Sequence, residues 1–147
     1  MRTQFLYLGV SQFLQRELPH VAYTGVDFSE VAVSMAKQRC PELRFLIHDI
    51  VRGDALEVDY DVVICTEVLE HIANDLAVFG NLKGGSFFIG TVPDFDSFGH
   101  VRYFASQEEV RDRYASRLDQ IEVEKVVVND RAALFVVSGT VRPGIAA

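Results

Sequence analysis

Two aspartates stand where apolar runs end. Asp27 closes the stretch Tyr23-Thr24-Gly25-Val26-Asp27, and Asp49 follows the next apolar run in His48-Asp49-Ile50. In open α/β sheets, ligands sit beyond the carboxyl ends of the strands. A carboxylate there can accept two charge-strengthened hydrogen bonds from a ribose diol, which is the chemistry Asp27 offers. Asp49, at the same rim, can accept from an adenine amino group while Ile50 packs on the base. Each acid also has a plainer reading, as a helix cap or a turn residue. A third rim lies in Asp61-Val62-Val63-Ile64-Cys65-Thr66-Glu67-Val68-Leu69-Glu70-His71-Ile72: an apolar strand, a polar pair, then a helix start.

Positioning these groups needs a sheet, and the chain supplies the pattern for one. Apolar runs at Phe5–Leu8, Val21–Asp27, Leu43–His48, Tyr60–Cys65 and Ser86–Val92 read as strands. Helices are expected over Ser11–Leu18, from Ser29 to about Arg39, from about Val68 to Asn81, and from Ser106 to about Leu118. Ser29 can cap the second helix, which must stop before Pro41. Ser106 and Glu109 have capping-box spacing, with Val110, Tyr114 and Leu118 as the inner stripe. The polar segment Arg52–Asp59 connects the third and fourth strands. Alternation of this kind implies a mostly parallel sheet covered on both faces. Ile121–Val128 and Ala133–Ser138 are two more strands, joined by Asn129-Asp130-Arg131. That turn is too short for a crossover helix, so the last two strands are antiparallel. A dinucleotide-binding domain would place a helix there.

The chain has 147 residues, a length that suits one domain over 1–147. Its formal net charge of −7 argues against a phosphate-binding surface, since nucleic-acid affinity rests on Lys and Arg. A small-molecule partner is expected, with no nucleic acid and no membrane: no apolar run reaches the roughly 18 residues a membrane helix requires. The N-terminus lacks a full signal-peptide h-region and reads as structural, which implies a cytoplasmic protein. Cys40 and Cys65 lie far apart in apolar surroundings and read as reduced, buried thiols. No His, Cys and acid grouping has metal-ligand spacing, so no metal is expected. There is no G-x-S-x-G elbow and no phosphate loop followed by Lys. His20 and His48 read as a connector and a strand-end residue.

The run from Val62 through Val68-Leu69-Glu70-His71-Ile72, with Gly25-Val26-Asp27-Phe28-Ser29 and His48-Asp49-Ile50 before it, resembles the class I S-adenosylmethionine-dependent methyltransferases of small-molecule type. The resemblance covers nearly the whole chain. It implies a Rossmann-like, doubly wound α/β sheet of seven strands with the last antiparallel, and S-adenosyl-L-methionine as cofactor. It implies that Asp27 holds the ribose hydroxyls, Phe28 and Ile50 flank the adenine, and Asp49 meets the adenine amino group. Thr66 and Glu67 would border the methionine part, while Glu70 and His71 would fix a helix start.

The family's first strand is followed by an acid and a glycine loop. In Phe5-Leu6-Tyr7-Leu8-Gly9-Val10-Ser11, Gly9 alone survives as a cofactor-loop glycine and Tyr7 stands where the acid is expected. This leaves two readings: a methyltransferase with a modified loop, or a catalytically impaired methyltransferase-like binding or scaffold protein. Few residues precede the first strand, so the family's covering helices are expected to be absent, a role a homodimer would fill. On the acceptor side, Gly99-His100-Val101-Arg102-Tyr103-Phe104 is similar to a motif of small-molecule members. His100 would act as general base, its ordinary pKa lying near neutrality, and Tyr103 would orient the acceptor. The alternative is that His100 and Arg102 fasten the loop, with Phe95, Phe98 and Phe104 as satellite core.

Overall fold

The computed structural model describes residues 2–5, 8–52 and 58–143. Its strands are β1 (Arg2–Phe5), β2 (Ala22–Asp27), β3 (Arg44–Ile47), β4 (Val62–Cys65), β5 (Phe87–Pro93), β6 (Leu118–Asn129) and β7 (Ala132–Val141). Helices α1 (Leu8–Glu17), α2 (Glu30–Arg39), α3 (Leu76–Gly80) and α4 (Gln107–Tyr114) connect them, with a single 3-10 turn at Leu69–His71. The strands form one sheet in the order β3-β2-β1-β4-β5-β7-β6. The first five pair in parallel, and β7 runs antiparallel to both β5 and β6. The chain lays β2 and β3 outward from β1, then returns to place β4 on the other side of β1. Such a reversal of direction opens a crevice at the carboxyl edge of the sheet.

Local chemistry accounts for most element ends. Ser29 Oγ accepts from Ala32 N at 3.2 Å and starts α2, while Lys37 and Arg39 complement the dipole at its last turn. Ser106 Oγ accepts from Glu109 N at 3.2 Å, and Glu109 Oε2 returns to Ala105 N at 2.8 Å, one residue earlier than a capping box requires. Val110 and Tyr114 are fully buried, but Leu118 begins β6 rather than ending α4. Between β6 and β7, Asn129 Oδ1 accepts from Arg131 N at 2.9 Å and closes the turn.

Successive side chains of β2 point to opposite faces of the sheet. Val26 enters a core with Val63, Phe88, Phe79, Val110 and Tyr114, which brings in α3 and α4. Gly25 faces the smaller cluster of Val33, Ala36, Cys40 and Phe45, which brings in α2. A Cβ on Gly25 would lie 2.4 Å from the Phe45 ring, so only glycine admits that ring here. Cys40 and Cys65 are buried free thiols, and burial pushes the Cys65 pKa up. Among the described residues, no helix is long and apolar enough to cross a membrane.

Two expected elements are corrected. The first strand ends at Phe5, not Leu8, and α1 already begins at Leu8. Gly9 therefore sits in the first turn of a helix rather than in an open loop; Tyr7 lies outside the described residues, as does most of the 52–59 connector. The helix expected over Val68–Asn81 is instead the Leu69–His71 turn, an extended Ile72, and the short α3. The cause is Arg102, which donates to the carbonyls of Leu69 (3.0 Å), Ile72 (2.7 Å) and Ala73 (2.8 Å). Those acceptors would otherwise serve a continuous helix. Arg102 also pairs at 3.0 Å with Asp75, which is fully buried and accepts from Arg113 and, at 2.8 Å, from the Tyr114 hydroxyl.

Removing one partner of a buried ion network leaves the others uncompensated, at a cost of about 3–5 kcal/mol. Asp75→Ala should therefore lower the urea unfolding free energy by about that amount; a loss under about 1 kcal/mol, the scale of a surface pair, contradicts the assignment. Gly25→Ala should cost about 1–3 kcal/mol by forcing the Phe45 ring aside, and an unchanged unfolding midpoint would contradict that packing.

Candidate functional site

A cavity of about 480 Å³ opens at the carboxyl ends of β2, β3 and β4. That is within the range of small-molecule sites. Asp27 and Phe28 line one side, His48 to Val51 the next, and Glu67, Val68, His71 and Ile72 the third. A second cavity of the same volume lies beside α1, between Leu14, Leu18, Val62, Ile64, Phe87 and Ile89, with no charged group in its lining.

The two rim aspartates make the turn contacts of their plainer reading and also line the cavity. Asp27 Oδ1 accepts from Ser29 N at 2.8 Å, a turn that leads into α2, and its second oxygen has no hydrogen bond among the described residues. Asp49 Oδ1 accepts from Val51 N at 2.9 Å, and Oδ2 lies 3.3 Å from Arg52 Nε. One oxygen of each acid thus fixes the backbone, which orients the carboxylate at the cavity. The Phe28 ring is 77% exposed at the cavity wall, whereas Ile50 is buried. A large apolar ring left open beside a pocket is a surface that a planar ligand can cover. Ile50 is held in place through its carbonyl, which accepts from Asn81 Nδ2 at 2.8 Å.

Glu67 lines the cavity in a left-handed conformation, with φ 55°. A non-glycine residue there costs on the order of 1–3 kcal/mol and persists only where its surroundings hold it. Thr91 supplies the restraint: its Oγ1 accepts from Glu67 N at 3.1 Å and donates to Glu67 Oε1 at 3.2 Å. Thr66 is half-buried and lies outside the cavity lining. Sequence reasoning missed Thr91, and also His48, which lines the cavity with a buried Nε2 that has no partner among the described residues.

The loop from Asp94 to Phe104 is fastened at both ends. Asp94 accepts from Ala133 N at 2.7 Å and pairs with Lys125 at 2.8 Å, and the Lys125 ammonium holds its carboxyl pKa down. Phe104 N donates to Pro93 O and Val101 N to Glu70 O. Arg102 is a fastener, as the plainer reading of the loop held, and Phe104 belongs to the core. Phe98 is fully exposed and Phe95 half-buried, so neither is core. Neither His100 nor Tyr103 lines the cavity, and Tyr103 is more than half exposed.

His100 instead meets two residues that the sequence placed in a helix start. Its ring lies 5.0 Å from that of His71, which does line the cavity. Glu70 is fully buried beside them, and neither carboxylate oxygen has a hydrogen-bond partner among the described residues. Burial raises its pKa and the charge of Glu67 adds to this, while its own backbone N–H, His71 and His100 oppose it. Carboxylate and imidazole atoms of the three residues all lie within 4.8 Å of one another. No local spacing in the sequence marks this group, because His100 arrives from a separate loop.

The model of a methyltransferase domain matches residues 8–84, just over half of the chain. No curated protein sequence matches it significantly. Among solved structures, the N-methyltransferase NodS from Bradyrhizobium japonicum WM9, in complex with S-adenosyl-L-homocysteine, superposes with a TM-score of 0.70 at 18% identity, covering 95% of this chain and 77% of that one. Magnesium protoporphyrin IX methyltransferase from Synechocystis PCC 6803, with bound S-adenosylmethionine, gives 0.69 at 18% identity over 97% and 69%. The CMeT domain of the citrinin polyketide synthase gives 0.74 at 13% identity, with 97% of this chain covering 47% of that one. At these identities the structures share the fold, and the family match adds the lineage: the chain belongs to the methyltransferase-domain family.

Proposed function

We propose that the protein transfers a methyl group from S-adenosylmethionine to a small-molecule acceptor. The observation that carries this reading is the pairing of Asp27 and Asp49 across one cavity with Phe28 and Ile50 in its wall. The residues present fit the cofactor. Asp27 has an uncommitted carboxylate oxygen for a ribose diol, and Phe28 and Ile50 offer apolar surface to either side of an adenine. Asp49 accepts from the adenine amino group, and Glu67 borders the methionine portion. Thr66 acts through the backbone that presents Glu67. Gly9, in the first turn of α1, contributes helix N-terminal backbone near the end of β1.

The cofactor supplies a methyl group on a positively charged sulfur. The protein's own work is positioning, which can account for much of the rate of a bimolecular transfer. The acceptor side is assigned to the loop that carries His100 and Tyr103, joined to the cavity through His71. A small acceptor is supported by the net charge of −7, which opposes a polyanionic substrate.

Calorimetry with S-adenosylmethionine and S-adenosyl-L-homocysteine tests the reading. Micromolar binding is expected, and Asp27→Ala should weaken it about 10- to 100-fold, as befits loss of charge-assisted hydrogen bonds worth about 1.5–3 kcal/mol. Asp49→Ala should weaken it less, because Arg52 already engages that carboxylate. No heat at millimolar ligand would contradict the proposal and favour a methyltransferase-like binding protein without turnover.

A further inference from the structure

We propose that Glu70, His71 and His100 hold a divalent transition-metal ion on the acceptor side of the cavity, with one coordination position left open toward the acceptor. The observation behind this is the Glu70 carboxylate. Glu70 is fully buried, and neither carboxylate oxygen has a hydrogen-bond partner among the described residues; a buried charge in that position is costly, and such charges in folded proteins are paired or coordinate metals. Arg102 and Arg113, the nearby cations that pair with acids, are committed to Asp75 and to backbone carbonyls. Among the described residues, His71 and His100 each bring a ring nitrogen within 4.8 Å of the Glu70 carboxylate.

Backbone carbonyls hold both imidazoles. His71 Nδ1 lies 2.9 Å from the Gly99 carbonyl and His100 Nδ1 lies 3.3 Å from the Phe95 carbonyl. A carbonyl accepts only from a protonated nitrogen, so in both rings Nδ1 carries a hydrogen, which leaves Nε2 as the nitrogen that would ligate. Metal-binding histidines show this arrangement, with the second nitrogen donating to a backbone carbonyl. Gly99 has φ +81°, a conformation that suits glycine and that turns its carbonyl toward His71. Two imidazoles and one carboxylate form a three-ligand set of the kind that binds zinc while keeping a fourth position open. A preference for zinc, cobalt or iron over magnesium follows from the two nitrogen ligands. Bond lengths near 2.0–2.1 Å place tetrahedral ligand atoms about 3.4 Å apart, so the group must contract by about an ångström. His71 is exposed and His100 half-buried, which gives both rings room to move.

The catalytic consequence rests on the methyl-transfer reading, whereas the metal site does not. An acceptor hydroxyl at the open position loses its proton to water more readily. Its oxygen lone pair then forms the new O–CH3 bond as the S–CH3 bond breaks, and the sulfur keeps that electron pair as a neutral thioether. His100 is thereby a ligand rather than the general base its sequence context suggests.

The test uses the full chain stripped with a chelator. It is titrated with Zn²⁺ by calorimetry and with Co²⁺ by visible absorption, whose intensity reports tetrahedral ligation. One ion per chain is expected, with a rise in Tm on zinc addition because the ion binds only the folded form. Glu70→Gln and His100→Ala should each weaken binding at least about tenfold, the lower range for losing even an outer-shell partner. If Glu70→Gln fails to fold by circular dichroism, the half-buried His100 variant decides. Absence of zinc binding, or binding that His100→Ala leaves unchanged, overturns the site. S-adenosylmethionine calorimetry on the stripped protein separates the two ideas: cofactor binding without metal binding overturns the metal site alone.

Discussion

A single buried carboxylate ties the loop after β5 to α4 and to the Leu69–His71 turn. Asp75 has no solvent exposure and gathers Arg102, Arg113 and the Tyr114 hydroxyl around it. The partners come from two parts of the chain: Arg102 from the loop after β5, Arg113 and Tyr114 from α4. Burying a charge is unfavourable until its partners are in place, and removing one then costs more than the pair adds. The network therefore acts as a geometric constraint. Through it, Arg102 holds the carbonyls of Leu69, Ile72 and Ala73 and sets the Leu69–His71 turn that presents Glu67, Glu70 and His71. The same arginine anchors the loop that brings His100 to them. Its neighbour Tyr114 is buried against Asp75, and both effects keep its hydroxyl protonated.

The cavity between Asp27 and Asp49 depends on topology more than on any one contact. Because the sheet reverses direction between β1 and β4, the carboxyl ends of β2, β3 and β4 converge on one edge. Strand register keeps those ends in line: Asp27 stands opposite Ile47, the residue that leads into His48 and Asp49. Short-range bonds then aim the acids. The Ser29 and Val51 amides fix Asp27 and Asp49, and the Thr91 hydroxyl holds Glu67 in a conformation it would not adopt alone. Backbone strain maintained at a cavity wall fits a residue positioned for ligand.

Much of this was legible in the sequence where the cause is local. Apolar runs followed by acids marked β2 and β3, and an apolar run before a polar pair marked β4; Ser29 and Ser106 marked the starts of α2 and α4; the short turn at Asn129–Arg131 dictated an antiparallel hairpin. The place of Asp27 and Asp49 at the cavity rim followed from the same rule about strand ends. What the sequence obscured has non-local causes. Phe5-Leu6-Tyr7-Leu8 is too short an apolar run for periodicity to separate strand from helix, and pairing with β2 and β4 ends β1 at Phe5. The periodicity of Val68–Asn81 suits a helix, but a guanidinium from 30 residues away takes its carbonyls at Ile72. Glu70, His71 and His100 show no motif spacing because a loop, not a helix face, unites them.

We propose that the Asp27–Asp49 cavity is the cofactor site. A crystal structure of the protein with S-adenosyl-L-homocysteine tests it most directly. The account predicts density in that cavity, with ribose hydroxyls about 3 Å from the Asp27 carboxylate and the adenine between Phe28 and Ile50. Ligand density elsewhere on the molecule, or an empty cavity at saturating ligand, would contradict it.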